Sequence, residues 1–209
     1  MIPVKVLSVR YLANATPALS KALGAPKGYP ALAMLTTDCD DATYIALDAA
    51  TKAADVEVAY GRSFYAGAAN ASTPHSGEVI GILAGATPGA VKSGMDAALS
   101  ALERTGFSEV NGVPYLAHTV ASVGSFLSKE AGVPRGSALA YLIAPPLEGM
   151  YALDAALKAA DVILCKLYTP PSETNFGGAL LSGTQSACTA ACEAFAQAVA
   201  EVAAKPIER

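Results

Sequence analysis

The chain has no run of about 18 apolar residues, so no segment of it reads as a membrane-spanning helix. It also lacks any cluster of Lys and Arg. Its basic residues are scattered and its net charge is −4, which gives a phosphate backbone nothing to bind and argues against nucleic acid. No GxGxxG occurs. In the stretch from Gly85 to Ser93, which superficially looks like a phosphate loop, Lys92 does not follow the second glycine, so the segment reads as a strand-to-helix turn. The two histidines, His75 and His118, lie far apart in sequence and support no nucleophile–base pair. Cys39, Cys165, Cys188 and Cys192 form no paired CxxC framework. Cys188 and Cys192 share a helix face, where small buried packing is a plainer reading than metal ligation. These absences predict no catalytic residues, no metal and no cofactor.

Charge is sparse as well. Only 15% of residues are charged while 53% are hydrophobic, the apolar count coming largely from alanine in short runs. Such a surface suits a protein covered in part by neighbours. The amino terminus enters an alternating pattern, Met1-Ile2-Pro3-Val4-Lys5-Val6, without an apolar h-region or cleavage site, so a cytoplasmic location and reduced thiols are expected. On that expectation the sequons at Asn14 and Asn70 are chance matches.

What is present is a duplication. Ala46-Leu47-Asp48-Ala49-Ala50-Thr51-Lys52-Ala53-Ala54-Asp55-Val56 recurs as Ala152-Leu153-Asp154-Ala155-Ala156-Leu157-Lys158-Ala159-Ala160-Asp161-Val162, with one difference, Thr51 against Leu157. Ala31 to Leu35 likewise pairs with Ala138 to Leu142, and Ser20, Lys21, Gly24 and Pro26 pair with Ser128, Lys129, Gly132 and Pro134. The spacing is about 107 residues, far above solenoid periods of about 20–50. The prediction is two α+β domains, 1–108 and 109–209, each built alike.

In each, the pattern predicts a strand (Val4 to Leu12; Val113 to Val123), a short helix (Thr16 to Leu23; Ser125 to Ala131), a strand ending in a turn, and the repeated helix. A further strand (Val56 to Tyr60; Val162 to Tyr168), a long loop, another strand (Glu78 to Leu83; Ala179 to Leu181) and a closing helix (Pro88 to Leu102; Ser186 to Val202) follow. In the repeated helix Asp48 and Lys52, and Asp154 and Lys158, are spaced to meet on one face, which predicts solvated pairs. The surrounding alanines predict a narrow helix that another protomer can approach closely.

Four segments carry a resemblance: Asp40-Asp41-Ala42-Thr43-Tyr44-Ile45-Ala46, Val58 to Ala69, Ala144-Pro145-Pro146-Leu147-Glu148, and Pro170-Pro171-Ser172-Glu173-Thr174-Asn175-Phe176. With the duplication, they resemble the tandem bacterial microcompartment shell proteins of the EutL type over almost the whole chain. The resemblance implies two circularly permuted shell domains of ferredoxin-like α/β sandwich form and a pseudohexameric homotrimer. It also implies a shell tiled with hexameric and pentameric shell proteins around encapsulated enzymes. Lys52 and Lys158 match the family's lattice-edge lysine.

The loops from Gly61 to Gly77 and from Thr169 to Gly178 are long for a compact domain. They read as pore gates, with Arg62, Phe64 and Tyr65 in the first and Glu173, Asn175 and Phe176 in the second, or as plain surface loops. Thr37-Asp38-Cys39-Asp40-Asp41 sets carboxylates ahead of a helix, where an Asp N-cap explains one of them. The resemblance implies more. Asp40, Asp41 and Glu78 would line a small pore between the domains where ethanolamine binds, with Phe107 as its aromatic wall, an ammonium gaining from both carboxylates and ring. A soluble oligomeric sensor of small amines is the alternative reading.

Overall fold

In the computed structural model, which describes residues 1–64, 75, 77–170 and 175–207, the chain runs β1 (Val6–Leu12), α1 (Pro17–Ala22), β2 (Ala31–Thr37), α2 (Asp40–Ala53), β3 (Val56–Ser63), β4 (Val79–Gly85) and α3 (Pro88–Leu102). It continues through β5 (Ser108–Val110), β6 (Val113–Val120), α4 (Ser125–Ala131), β7 (Ala138–Ala144), α5 (Pro146–Ala159), β8 (Val162–Tyr168), β9 (Gly177–Gly183) and α6 (Gln185–Ala204). Two units result. The first is Pro3–Gly106 with Gly124–Leu127; the second is Met1–Ile2, Phe107–Val123 and Ser128–Arg209.

The first unit holds an antiparallel sheet in the order β1-β2-β4-β3, and the second repeats it as β6-β7-β9-β8 with β5 added at the β6 edge. The alternation along β2 explains the layering. Ala31, Ala33 and Leu35 face a core shared with α2 and α3, while Leu32 faces a second cluster with Ala15, Ile82 and Ala84. Both faces of the central strand are therefore covered. In the second unit β7 is buried along its whole length, and Ala140 and Leu142 pack with Ala152, Phe195 and Val199.

The duplication extends to irregularities that sequence identity alone does not require. The β3–β4 ladder slips at Ala59, between Val58 and Tyr60, and the β8–β9 ladder slips at Cys165, between Leu164 and Lys166. Ala25 donates to the Ser20 carbonyl as Val133 does to Ser128, and Gly24 and Gly132 both have positive φ. Residues can thus be matched between repeats by strand register: Glu57 with Ile163, Gly61 with Leu167, Val79 with Gly177.

Three sequence expectations need correction. The Asp48–Lys52 pair is not solvated: Asp48 is fully buried, whereas the side chains of Asp154 and Lys158 are 65% and 75% exposed. Only part of the alanine set of α2 is open to a neighbour, Ala53 being exposed and Ala49 half-buried. Ala42, Ala46 and Ala50 are all fully buried in the core beneath α3 and the sheet. And β5 was not anticipated, although its signal is plain: Asn111-Gly112, both at positive φ, form the two-residue turn of a β5–β6 hairpin.

Asp48 is held by hydrogen bonds from backbone N–H groups at the start of α4. Gly124 donates to its Oδ2 at 2.8 Å and Leu127 to its Oδ1 at 2.9 Å. Beside it Thr51 Oγ1 accepts from the Ser125 N–H at 3.0 Å, and Ser125 Oγ donates to Glu57 Oε2 at 3.1 Å. A carboxylate at a helix N-terminus satisfies orphan donors and the helix dipole together. Phe126 then packs against Tyr44, with ring centroids 5.8 Å apart.

Candidate functional site

Antiparallel pairing brings three chain segments to one end of the first sheet, where Thr37, Val79 and Ser63 lie in one row of the ladder. The residues just beyond that row are Asp38, Asp40 and Asp41 after β2, Glu78 before β4 and Phe64 after β3. Backbone bonds fix Glu78 there: its N–H donates to Thr37 O at 2.8 Å and its carbonyl accepts from the Phe64 N–H at 2.9 Å.

The N-cap of α2 is Cys39, with no side-chain cap bond, so neither Asp40 nor Asp41 serves as the cap. Both sit in the first turn, where the helix dipole favours negative charge. Asp38 accepts from the Lys5 N–H at 2.8 Å. Asp40 and Asp41 are each 8% exposed. Asp40 Oδ1 accepts from the Asp41 N–H at 2.8 Å, and Oδ2 accepts from Ser63 Oγ at 2.6 Å. Ser63 Oγ is in turn 2.6 Å from Tyr44 OH. Ser63 and Tyr44 are the members that sequence reasoning passed over, although Tyr44 stands four residues after Asp40, one helical turn on.

Electrostatics make this group strained by its own charge. Burial first, and then the Asp40 and Asp38 carboxylates, push the Glu78 carboxyl above its usual range. Burial pushes the Tyr44 phenol and the Cys39 thiol each up to about 12, and both feel Asp40 and Asp41 as well. A small cation entering the group would relieve this repulsion.

Among the described residues the second repeat places no such group. By register and repeat alignment Pro146 and Leu147 stand where Asp40 and Asp41 do, and Phe176 stands where Glu78 does, directly before β9. Phe107 belongs to the second unit and packs on Phe176, with centroids 5.8 Å apart. The carboxylates thus belong to the first compact unit and these rings to the second.

Of the gate residues, Arg62 is exposed but lies within β3, paired to Ile80 in the ladder, so the strand runs further than the loop expectation allowed. Phe64 is tied to Glu78 through its backbone, Asn175 is exposed at positive φ, and Tyr65 and Glu173 lie outside the described residues.

Known proteins resolve the family. Residues 31–114 match the model of the BMC domain, a stretch that starts at the first residue of β2 and ends in β6. That start is where an unpermuted domain would begin, with β1 and α1 left ahead of it. The chain is 56% identical over 211 residues to the bacterial microcompartment shell protein EutL of Clostridium perfringens, covering 99% of this chain and 97% of the relative. The chain belongs to the EutL family of bacterial microcompartment shell proteins.

It is also 45% identical to the EutL shell protein of Escherichia coli K12 over 213 residues, covering all of this chain and 97% of the relative. The crystal structure of the ethanolamine utilization protein EutL from Leptotrichia buccalis shares its fold with a TM-score of 0.95 at 56% identity, covering 100% of this chain and 98% of that one. The EutL-type architecture therefore comprises both repeats. Among the described residues no helix is long and apolar enough to cross a membrane, and no group of His, Cys, Asp and Glu is placed to hold a metal ion.

Proposed function

We propose that this chain is a wall component of a bacterial microcompartment in the cytoplasm, a homotrimer that tiles with other shell proteins around encapsulated enzymes and passes small polar metabolites. The observation that carries this reading is full-length membership of a shell-protein family together with a duplicated domain whose irregularities repeat as well. Two near-equivalent domains per chain under threefold symmetry give six near-equivalent edges, and closed cyclic assembly is the usual form of homo-oligomers. Lys52 and Lys158 are the proposed lattice-edge residues, and the fusion of the two domains is placed between residues 108 and 109. The sensor alternative has no support from the relatives. Negative-stain microscopy of purified protein at raised concentration should show sheets or tubes; particles that never associate would overturn the shell reading.

The carboxylate group is proposed to take the ammonium of ethanolamine between Asp40 and Glu78, with Asp41 adding to the field. Its support is the repulsion already present, which a cation removes. Calorimetry on Asp40→Ala/Glu78→Ala should show binding weakened by at least about tenfold, the usual cost of deleting charge-assisted partners. The pH dependence has a definite sign. Glu78 in the folded chain takes up its proton at a higher pH than an ordinary carboxyl, so affinity should fall as pH drops through that raised value. The stability contribution of Glu78 runs the other way. It is fully present below the ordinary carboxyl range and is lost as pH rises through the raised value, unless a cation is bound. Affinity unchanged in the double variant would remove these residues from the site.

A further inference from the structure

The start of α4 docks in the first unit, and its repeat partner, the start of α1, docks on nothing within the described chain. Leu127 is 1% exposed while its counterpart Leu19 is 41% exposed, and the six-residue α1 has no buried residue at all. The surface that corresponds to the α4 dock is likewise open in the second unit. Ile163, Leu164 and Leu167 on β8 are 64%, 46% and 44% exposed, where Glu57, Val58 and Gly61 of the first unit are partly covered.

We infer that Leu157, Ile163 and Leu167 of one chain receive Pro17, Ala18 and Leu19 of a second copy, continuing between chains the contact that the first unit already makes with the start of α4. The inference rests on the trimer reading and assigns its interface. What carries it is that substitutions on the two sides are compensated. In the first unit Thr51 accepts the Ser125 N–H, and Ser125 donates to Glu57. The matching trio is Leu157, Pro17 and Ile163. Proline has no N–H to give, and the positions it would meet are apolar.

Size is exchanged in the same way. Gly61 leaves room for the Phe126 ring, which lies 3.6 Å from where a Cβ on Gly61 would be. Its matched pair, Leu167 and Ala18, has the large residue on the strand and the small one on the helix. A polar pair has become apolar and a small–large pair has become large–small, each time on both sides at once. Such matched exchange is expected of surfaces that meet, and exposed apolar side chains grouped on one strand are what an interface buries.

The two contacts are not superposable. Gly124 sits so close to α2 that a Cβ there would lie 2.2 Å from Thr51 Oγ1, yet its counterpart Thr16 has a side chain. The α1 segment must therefore stand further off its dock, and Leu157 and Ile163 are the longer apolar side chains that fill the wider gap.

The contact is head-to-tail, so it does not pair two copies about a twofold, and it closes into a ring where its rotation is that of the threefold of the trimer reading. Light scattering on the full chain tests it. Wild type should have the mass of three chains. Ala18→Phe should raise the concentration of half-dissociation by at least about tenfold through overpacking, and Ile163→Asp should do likewise. Adding Leu167→Gly to Ala18→Phe recreates the internal pair and should restore assembly to within about threefold of wild type. Pro17, Ala18 and Leu19 are exposed in the single chain, so Ala18→Phe leaves folding intact, as circular dichroism should show. A trimer indifferent to both single substitutions, or one weakened by Ala18→Phe and not rescued by the swap, overturns this interface and leaves the trimer standing. A wild-type mass of one or two chains overturns both.

Discussion

Asp48→Ala should cost about 3 kcal/mol, seen as a melting midpoint lower by about 6 to 12 °C in a chain of this size. The side chain is fully buried and does three things at once: it accepts from Gly124 N–H, accepts from Leu127 N–H, and meets Lys52 Nζ at 3.2 Å. Truncation leaves two buried donors without an acceptor in a place too tight for alanine to admit full hydration. It also removes a partner of the Lys52 ammonium. The control is the Lys92–Asp96 pair on α3, whose side chains are 67% and 56% exposed; Lys92→Ala should leave the midpoint essentially unmoved. Equal, small shifts for the two variants would contradict the assigned role of Asp48.

Gly124→Ala should destabilise by about 2 kcal/mol, the usual cost of forcing a methyl into a filled core. Its Cβ would fall 2.2 Å from Thr51 Oγ1 and 2.7 Å from the Asp48 carbonyl oxygen, and the second of these is backbone that cannot step aside. Thr51→Ala removes the nearer obstacle, so the double variant should recover part of the loss and not all of it. Chemical denaturation of the single and double variants measures this. Full additivity would mean that the segment simply moves away, and the dock would then be looser than the hydrogen bonds imply.

These two residues also show where sequence reading stops. Asp48 and Asp154 lie in nearly identical eleven-residue stretches, and nothing local separates them. One is buried and the other exposed because of a partner 76 residues further along the chain, Gly124, which no helical periodicity reports. Where boundaries depend on local chemistry the sequence was enough. Thr87 followed by Pro88 starts α3, and the expected spans of α3, α4 and β8 coincide with the observed ones.

Where they depend on pairing it was not. Arg62 sits in β3 because Ile80 is there to pair with it, although the apolar alternation fades after Tyr60. The carboxylate group was half legible. Asp40 and Asp41 announce themselves as neighbours, but Glu78 joins them through the antiparallel ladder, and Ser63 through a strand longer than the alternation suggested. The alanines of α2 were legible only in part for a physical reason: small residues allow close approach, and for Ala42, Ala46 and Ala50 the partners approached are the chain's own sheet and α3.

In the proposed assembly the second repeat and α1 supply complementary halves of a contact the chain makes only once by itself, and three chains close the ring. Sedimentation equilibrium of the unmodified chain at micromolar concentration tests the trimeric assembly most directly. A species of three times the 21.1 kDa chain mass is predicted, and a single species of 21.1 kDa would contradict it.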